Sequence, residues 1–115
     1  MKAHKKLITT QHRKLTTALI CDYDIAEAVL EACETKFRII DLREKVKSKR
    51  IAEARHVAMY TIRKMTELSY PEIGDFLNRD PSTAIHSCRV VESSPKLLDR
   101  SAAIQALVSR ELEAA

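Results

Sequence analysis

A single glycine, Gly74, occurs in the whole 115-residue chain, and that scarcity narrows the folds open to it. Strand-rich architectures need glycine at many turns, where the backbone must take conformations other residues resist. Phosphate-cradling loops of the Walker or dinucleotide type are excluded too, since neither pattern can be written with one glycine. A nucleotide-driven motor is therefore ruled out. Helices remain, and an all-α domain with one core is predicted; 45% hydrophobic residues supply enough apolar surface for it. No apolar run approaches the roughly 18 residues of a membrane span, and no signal-peptide core is present. A cytoplasmic, nucleoid-associated protein with no membrane partner is expected. The three cysteines, Cys21, Cys33 and Cys88, form no CxxC pair and fit free or buried thiols in a reducing compartment.

Net charge is +4, but its distribution matters more than its size. Residues 1–20 carry Lys2, Lys5, Lys6, Arg13 and Lys14 with no acid, and are read as a basic, flexible arm. Residues 43–64 carry Arg43, Lys45, Lys47, Lys49, Arg50, Arg55, Arg63 and Lys64 against only Glu44 and Glu53. Between them, residues 22–34 hold Asp22, Asp24, Glu27, Glu31 and Glu34 with no Lys or Arg. Such segregation suits a polyanion-facing side, although a solvated charged surface would also produce it.

Periodicity places the helices. The first begins at Asp22 or Asp24, either of which can accept a free backbone N–H, and buries Ile25, Ala28, Val29, Ala32 and Cys33. Phe37, Ile39, Ile40 and Leu42 form an apolar corner leading to a short helix. Lys45 to Arg50 is read as an exposed basic loop. A long helix from about Ile51 to Glu67 turns Ile51, Ala54, Ala58, Ile62 and Met65 inward, slim residues that let a neighbour approach closely. After Tyr70, Pro71 opens a short helix with Ile73, Phe76 and Leu77 on its apolar side. Asn78, Arg79 and Asp80 make a turn, and Asp80-Pro81 starts the next helix. There Ala84, Ile85, Cys88 and Val91 face inward while Ser82, Thr83, His86 and Arg89 face out. Two short helices across a tight polar turn, spanning 71–92, are the helix-turn-helix pattern. Ser93-Ser94-Pro95 ends it. A last helix over about 96–113 points Leu97, Ile104, Leu107, Val108 and Leu112 to the core or to a protein partner. The chain thus divides into arm (1–20), helix-turn-helix domain (21–93) and C-terminal helix (94–115).

Three stretches in order now carry a resemblance: Ala54 to Tyr60 (ARHVAMY), Leu68 to Gly74 (LSYPEIG) and Arg79 to His86 (RDPSTAIH). They resemble the C-terminal DNA-binding domain of the bacterial replication initiator DnaA, with its "AR…AMYL", "LSxPEIG" and "RDHTTVxHA" segments at nearly this spacing. The match covers roughly 22–92, and no ATPase domain precedes it, so such a domain standing alone is expected. The resemblance implies a six-helix, Trp-repressor-like fold binding a short DnaA-box-like duplex in replication or transcription control. It also implies a recognition helix in the major groove and a basic loop at the adjacent minor groove. Asp80, Ser82 and Thr83 match the recognition segment, Lys47 lies nearest the minor-groove arginine, and Arg55 matches the arginine of the long helix. Two departures stand out. Pro81 replaces a histidine able to reach a base edge, and Lys47 is a compact ammonium where a flat guanidinium suits a narrow groove.

The candidate DNA-binding set is therefore Lys45, Lys47, Lys49, Arg50, Arg55, His56, Arg79, Asp80, Pro81, Ser82 and Thr83. The cations are assigned mainly to phosphates, and Ser82 and Thr83 to base edges or phosphate. Asp80 has a second reading as a plain helix cap. Arg63 and Arg89 read as surface residues. The histidines and cysteines show no metal-ligand spacing, no catalytic triad is placed, and neither cofactor nor nucleotide is expected. Aromatic content of 4% argues against a base-stacking single-strand reader. The competing reading is a helical protein-interaction module that kept the fold and lost base recognition.

Overall fold

The computed structural model describes residues 21–33 and 49–114. Among them are five helices and no strand: α1 (Asp22–Cys33), α2 (Lys49–Met65), α3 (Tyr70–Phe76), α4 (Pro81–Glu92) and α5 (Pro95–Ala114). The all-α expectation with a helix-turn-helix holds. The basic arm, the apolar corner at Phe37 to Leu42, and Lys45 and Lys47 lie outside the described residues.

α2 is the central post, packed against each of the other four helices. It owes that place to Ala54, Val57, Ala58, Met59 and Ile62, all buried. Two of these are alanines, as the slim inner face predicted, and they let α1 and α4 close in. Met59 and Ile62 join Val29, Leu30, Ile73, Leu77 and Ala84 in the main core. Fully burying a side chain such as Leu30 or Ile62 contributes roughly 1.5–3 kcal/mol. A second cluster of Val57, Tyr60, Cys88, Val91 and Leu97 knits α2 to α4 and the start of α5.

Local chemistry fixes the helix ends. At α1, the Asp24 carboxylate accepts the Cys21 amide at 3.2 Å, and Asp22 and Asp24 favour the positive end of the helix dipole. Asp22 also accepts the Glu67 amide at 3.0 Å, tying α1 to the chain leaving α2. α3 opens on a complete capping box. The Ser69 hydroxyl accepts the Glu72 amide at 3.3 Å, and Glu72 accepts the Ser69 amide at 2.8 Å. The other Glu72 oxygen accepts the Tyr23 hydroxyl at 3.0 Å, and the Tyr23 ring stacks on Phe76. Burial first, then the Glu72 carboxylate, pushes the Tyr23 phenol above its ordinary value.

The structure corrects several expectations. α2 begins at Lys49 and ends at Met65, so Lys49 and Arg50 are helical rather than part of a loop. Charge density misled there, because Lys and Arg are good helix formers and an exposed first turn needs no apolar face. α1 buries Ala26 and Leu30 besides the expected Ala28 and Val29, while Ile25 is only half-buried. Its stripe is wider because α2 and α5 both pack on it. Ile85 is half-buried rather than buried. In α5, Leu97 and Val108 are buried, whereas Leu107 is 49% exposed. Buried hydroxyls between α2 and α5 were not foreseen. Thr61 and Ser101 meet at 2.7 Å between α2 and α5, with Thr61 also bonding the Val57 carbonyl. No disulfide joins the three cysteines, and burial pushes the Cys88 thiol up.

Candidate nucleic-acid interface

The turn between α3 and α4 is built on the one glycine. The Gly74 carbonyl accepts the Leu77 amide at 3.1 Å and the Arg79 amide at 2.8 Å, folding the chain back across it. A β-carbon on Gly74 would overlap the Arg79 carbonyl oxygen and lie 3.2 Å from that of Asp80. Asn78 takes the left-handed conformation, φ 58°, which asparagine tolerates better than most residues. The Arg79 guanidinium then donates to the Leu77 and Asn78 carbonyls at 3.1 and 3.0 Å, covering the turn.

α4 follows at once. Asp80 occupies the N-cap position with extended backbone, and Pro81 lies in the first turn, as the Asp-Pro pair predicted. The expected side-chain cap is not formed: the Asp80 carboxylate makes no capping hydrogen bond. Its carbonyl instead accepts the Thr83 and Ala84 amides at 3.0 and 3.3 Å. Asp80, Pro81, Ser82, His86 and Arg89 are exposed and Thr83 half-buried, so the outward face of α4 is the one foreseen. Inward are Ala84, Cys88, Val91 and, unforeseen, the fully buried Ser87.

Behind this face stands α2. Arg55 is only 7% exposed. Desolvation lowers its pKa, and the neighbouring positive charge of Arg79 lowers it further. Two guanidiniums thus lie close enough for one to feel the other's charge where the turn enters α4. Next to Arg55, His56 shares a 2.7 Å hydrogen bond through Nδ1 with the Ser87 hydroxyl. Its ring meets that of His86 edge to face at 5.8 Å. Burial, then His86 and Arg55, hold the His56 imidazole below its usual value, against a smaller opposing pull from Glu53. Lys49 and Arg50 lie exposed in the first turn of α2.

Of the candidate set, then, Arg79, Asp80, Pro81, Ser82 and Thr83 form the turn and the start of α4, with Arg55 beside Arg79. His56 packs against Ser87 and His86 in the middle of α4. The sequence reading left out His86 and Ser87. His86 lies four residues beyond Ser82, hence on the same helical face, and that spacing was the available signal. Ser87 gave none, since a serine inside an apolar stripe looks the same whether or not it has a partner.

A short helix, a glycine-closed turn and a second helix with an exposed polar face make this a helix-turn-helix domain. The family model described as the bacterial dnaA protein helix-turn-helix matches residues 23–91. The chain belongs to that family, which is a DNA-binding domain and not a catalytic one. It is 30% identical over 112 residues to the chromosomal replication initiator protein DnaA of Thermoanaerobacter sp. (strain X514), covering 96% of this chain and 22% of that protein. The DnaA protein of Thermodesulfovibrio yellowstonii is 36% identical over 89 residues, 76% of this chain and 19% of its own length. That of Caldanaerobacter subterraneus is 32% identical over 95 residues, 82% and 20% respectively. The chain therefore spans about a fifth of the length of the curated relatives it matches. No helix among the described residues is long and apolar enough to cross a membrane.

Proposed function

We propose that this chain binds double-stranded DNA with a preference for DnaA-box-like sites, acting in replication initiation or in transcription control. One observation carries the reading: α4 begins exposed, its capping side chain not engaged by its own helix, beside the converging Arg55 and Arg79. The Ser82 amide in the first turn and a nearby pair of cations are groups that a backbone phosphate can use. With α4 in the major groove, Ser82 and Thr83 face base edges, Thr83 offering a methyl to thymine and a hydroxyl to an acceptor. Pro81 carries no polar side-chain atom, so this chain reads fewer base-edge groups there than a family member with histidine. Lys49 and Arg50, with Lys45 and Lys47 outside the described residues, are assigned to phosphates and the minor groove.

The protein-interaction alternative is motivated by Pro81, the acidic first helix and the C-terminal helix, α5. Among the described residues its exposed large hydrophobic is Leu107, and one exposed leucine is ordinary on a soluble surface.

Fluorescence anisotropy with a labelled DnaA-box duplex and a scrambled duplex, at two salt concentrations, tests the proposal. The box should bind more tightly, with log affinity falling by about 0.9 per decade of salt for each phosphate neutralised. Thr83→Ala should relax preference at one base position by about 1–3 kcal/mol. Equal binding of box and scrambled duplex by the parent protein would refute sequence preference, and no binding at low salt would refute the function.

A further inference from the structure

We propose that His56 and His86 form a proton-gated seat for a DNA backbone phosphate at the seam of α2 and α4. This rests on the duplex-DNA reading above and adds a pH dependence to it.

The seam gathers cations around two imidazoles. His56 on α2 has Arg55 and Glu53 on its own helix, and His86 and Ser87 facing it from α4. Arg79 of the turn faces Arg55. Glu53 is the acid that favours a charged His56, yet it is drawn to α5, with Lys96 at 3.7 Å and Arg100 at 3.6 Å. Further along, Glu92, Arg63 and Lys64 surround Cys88 rather than the histidines. A proton added to His56 therefore enters a region that is already positive and half-buried. In the free protein that opposes protonation; a phosphate seated against the seam reverses the balance, because it neutralises the field the His56 ring feels.

The geometry permits this proton without repacking. Ser87 Oγ is both donor and acceptor, so it can donate to neutral His56 Nδ1 or accept from the protonated ring. The 2.7 Å bond persists in either state with only the hydroxyl hydrogen turning. His86 is exposed on the same outward face as Ser82, one helical turn further on, where a strand passing along α4 would meet it. Protonated imidazoles bind phosphate through charge-assisted hydrogen bonds, and neutral ones bind it far less well. Duplex binding should then take up protons, and affinity should rise as pH falls.

Anisotropy titrations from pH 7.5 to 5.5, with box and scrambled duplexes, test the idea on the parent, His56→Gln, His86→Gln and the double variant. Glutamine keeps a hydrogen-bonding partner for Ser87 but cannot titrate. The parent should bind several-fold more tightly at pH 5.5 than at 7.5, with about tenfold the limit for each group whose pKa DNA raises by one unit. Both duplexes should show it, because a phosphate carries no sequence. Each single variant should lose part of the slope and the double variant all of it. In NMR titrations, DNA should raise the pH at which the His56 ring protonates. Box binding with a flat parent profile, or a double variant keeping the parent's slope, would overturn the inference alone. Absence of binding at every pH would overturn the duplex reading and this inference with it.

Discussion

Two helices in this molecule start almost identically in sequence and end up doing different things. α3 opens at Ser69-Tyr70-Pro71 and α4 at Asp80-Pro81, each with a good capping residue and a proline in the first turn. At α3 the cap is closed on itself: Ser69 and Glu72 satisfy each other, and Glu72 also holds Tyr23 of α1. At α4 the carboxylate of Asp80 makes no such bond and the turn's cations gather nearby. The first start serves the fold. The second is left open toward solvent, and that difference sets a stabilising cap apart from the edge proposed to meet DNA.

Breaking the turn that joins the two starts should have the largest effect. Gly74→Ala drives a methyl into the Arg79 carbonyl, which is backbone and has little freedom to move. About 3 kcal/mol of stability should be lost, with loss of DNA binding following from the displaced α4. Thermal unfolding checks it; an unchanged midpoint would mean the turn is softer than its geometry. Next comes Arg55→Met, which keeps much of the side chain's packing but removes the charge beneath α4. Binding should weaken by about 1.5–3 kcal/mol on box and scrambled duplex alike, with a salt slope shallower by about 1. Loss confined to the box would reassign Arg55 to base reading.

Swapping the two caps tests the contrast directly. Ser69→Ala should cost about 1 kcal/mol in unfolding experiments and leave DNA affinity alone. Asp80→Ala should cost less stability, having no capping hydrogen bond to lose, and should instead lower the ratio of box to scrambled binding. Equal stability losses from the two would erase the distinction. The smallest effect concerns pH. Burial holds His56 below its ordinary range, so the folded form binds fewer protons than the unfolded chain between that lower value and about 6.5. Its contribution to stability is full above that window and is lost as pH falls through the lower folded value. The free protein should therefore unfold slightly more easily on acidification, and His56→Gln should remove that part of the trend. DNA affinity moves in the opposite direction, so the two measurements separate folding from binding at one side chain.

Much of the helix-turn-helix was legible because its signals are local. Pro71, Asp80-Pro81 and the stripe of Ala84, Cys88 and Val91 act through backbone restriction and helical spacing, which need no distant partner. The buried state of Arg55, the pairing of His56 with Ser87, and the idle side chain of Asp80 were not legible. The first two depend on which helix lies opposite, and residues 31 apart in sequence meet there.

By itself, then, the order of residues determined that the chain is helical, where α3 and α4 begin, and which face of α4 looks outward. Steric rules acting within a few residues decide those points. Tertiary packing alone decided which polar groups the protein keeps for itself and which it leaves to a partner. Hydrogen bonds and desolvation are settled by neighbours in space, and α2 supplies those neighbours from far along the chain.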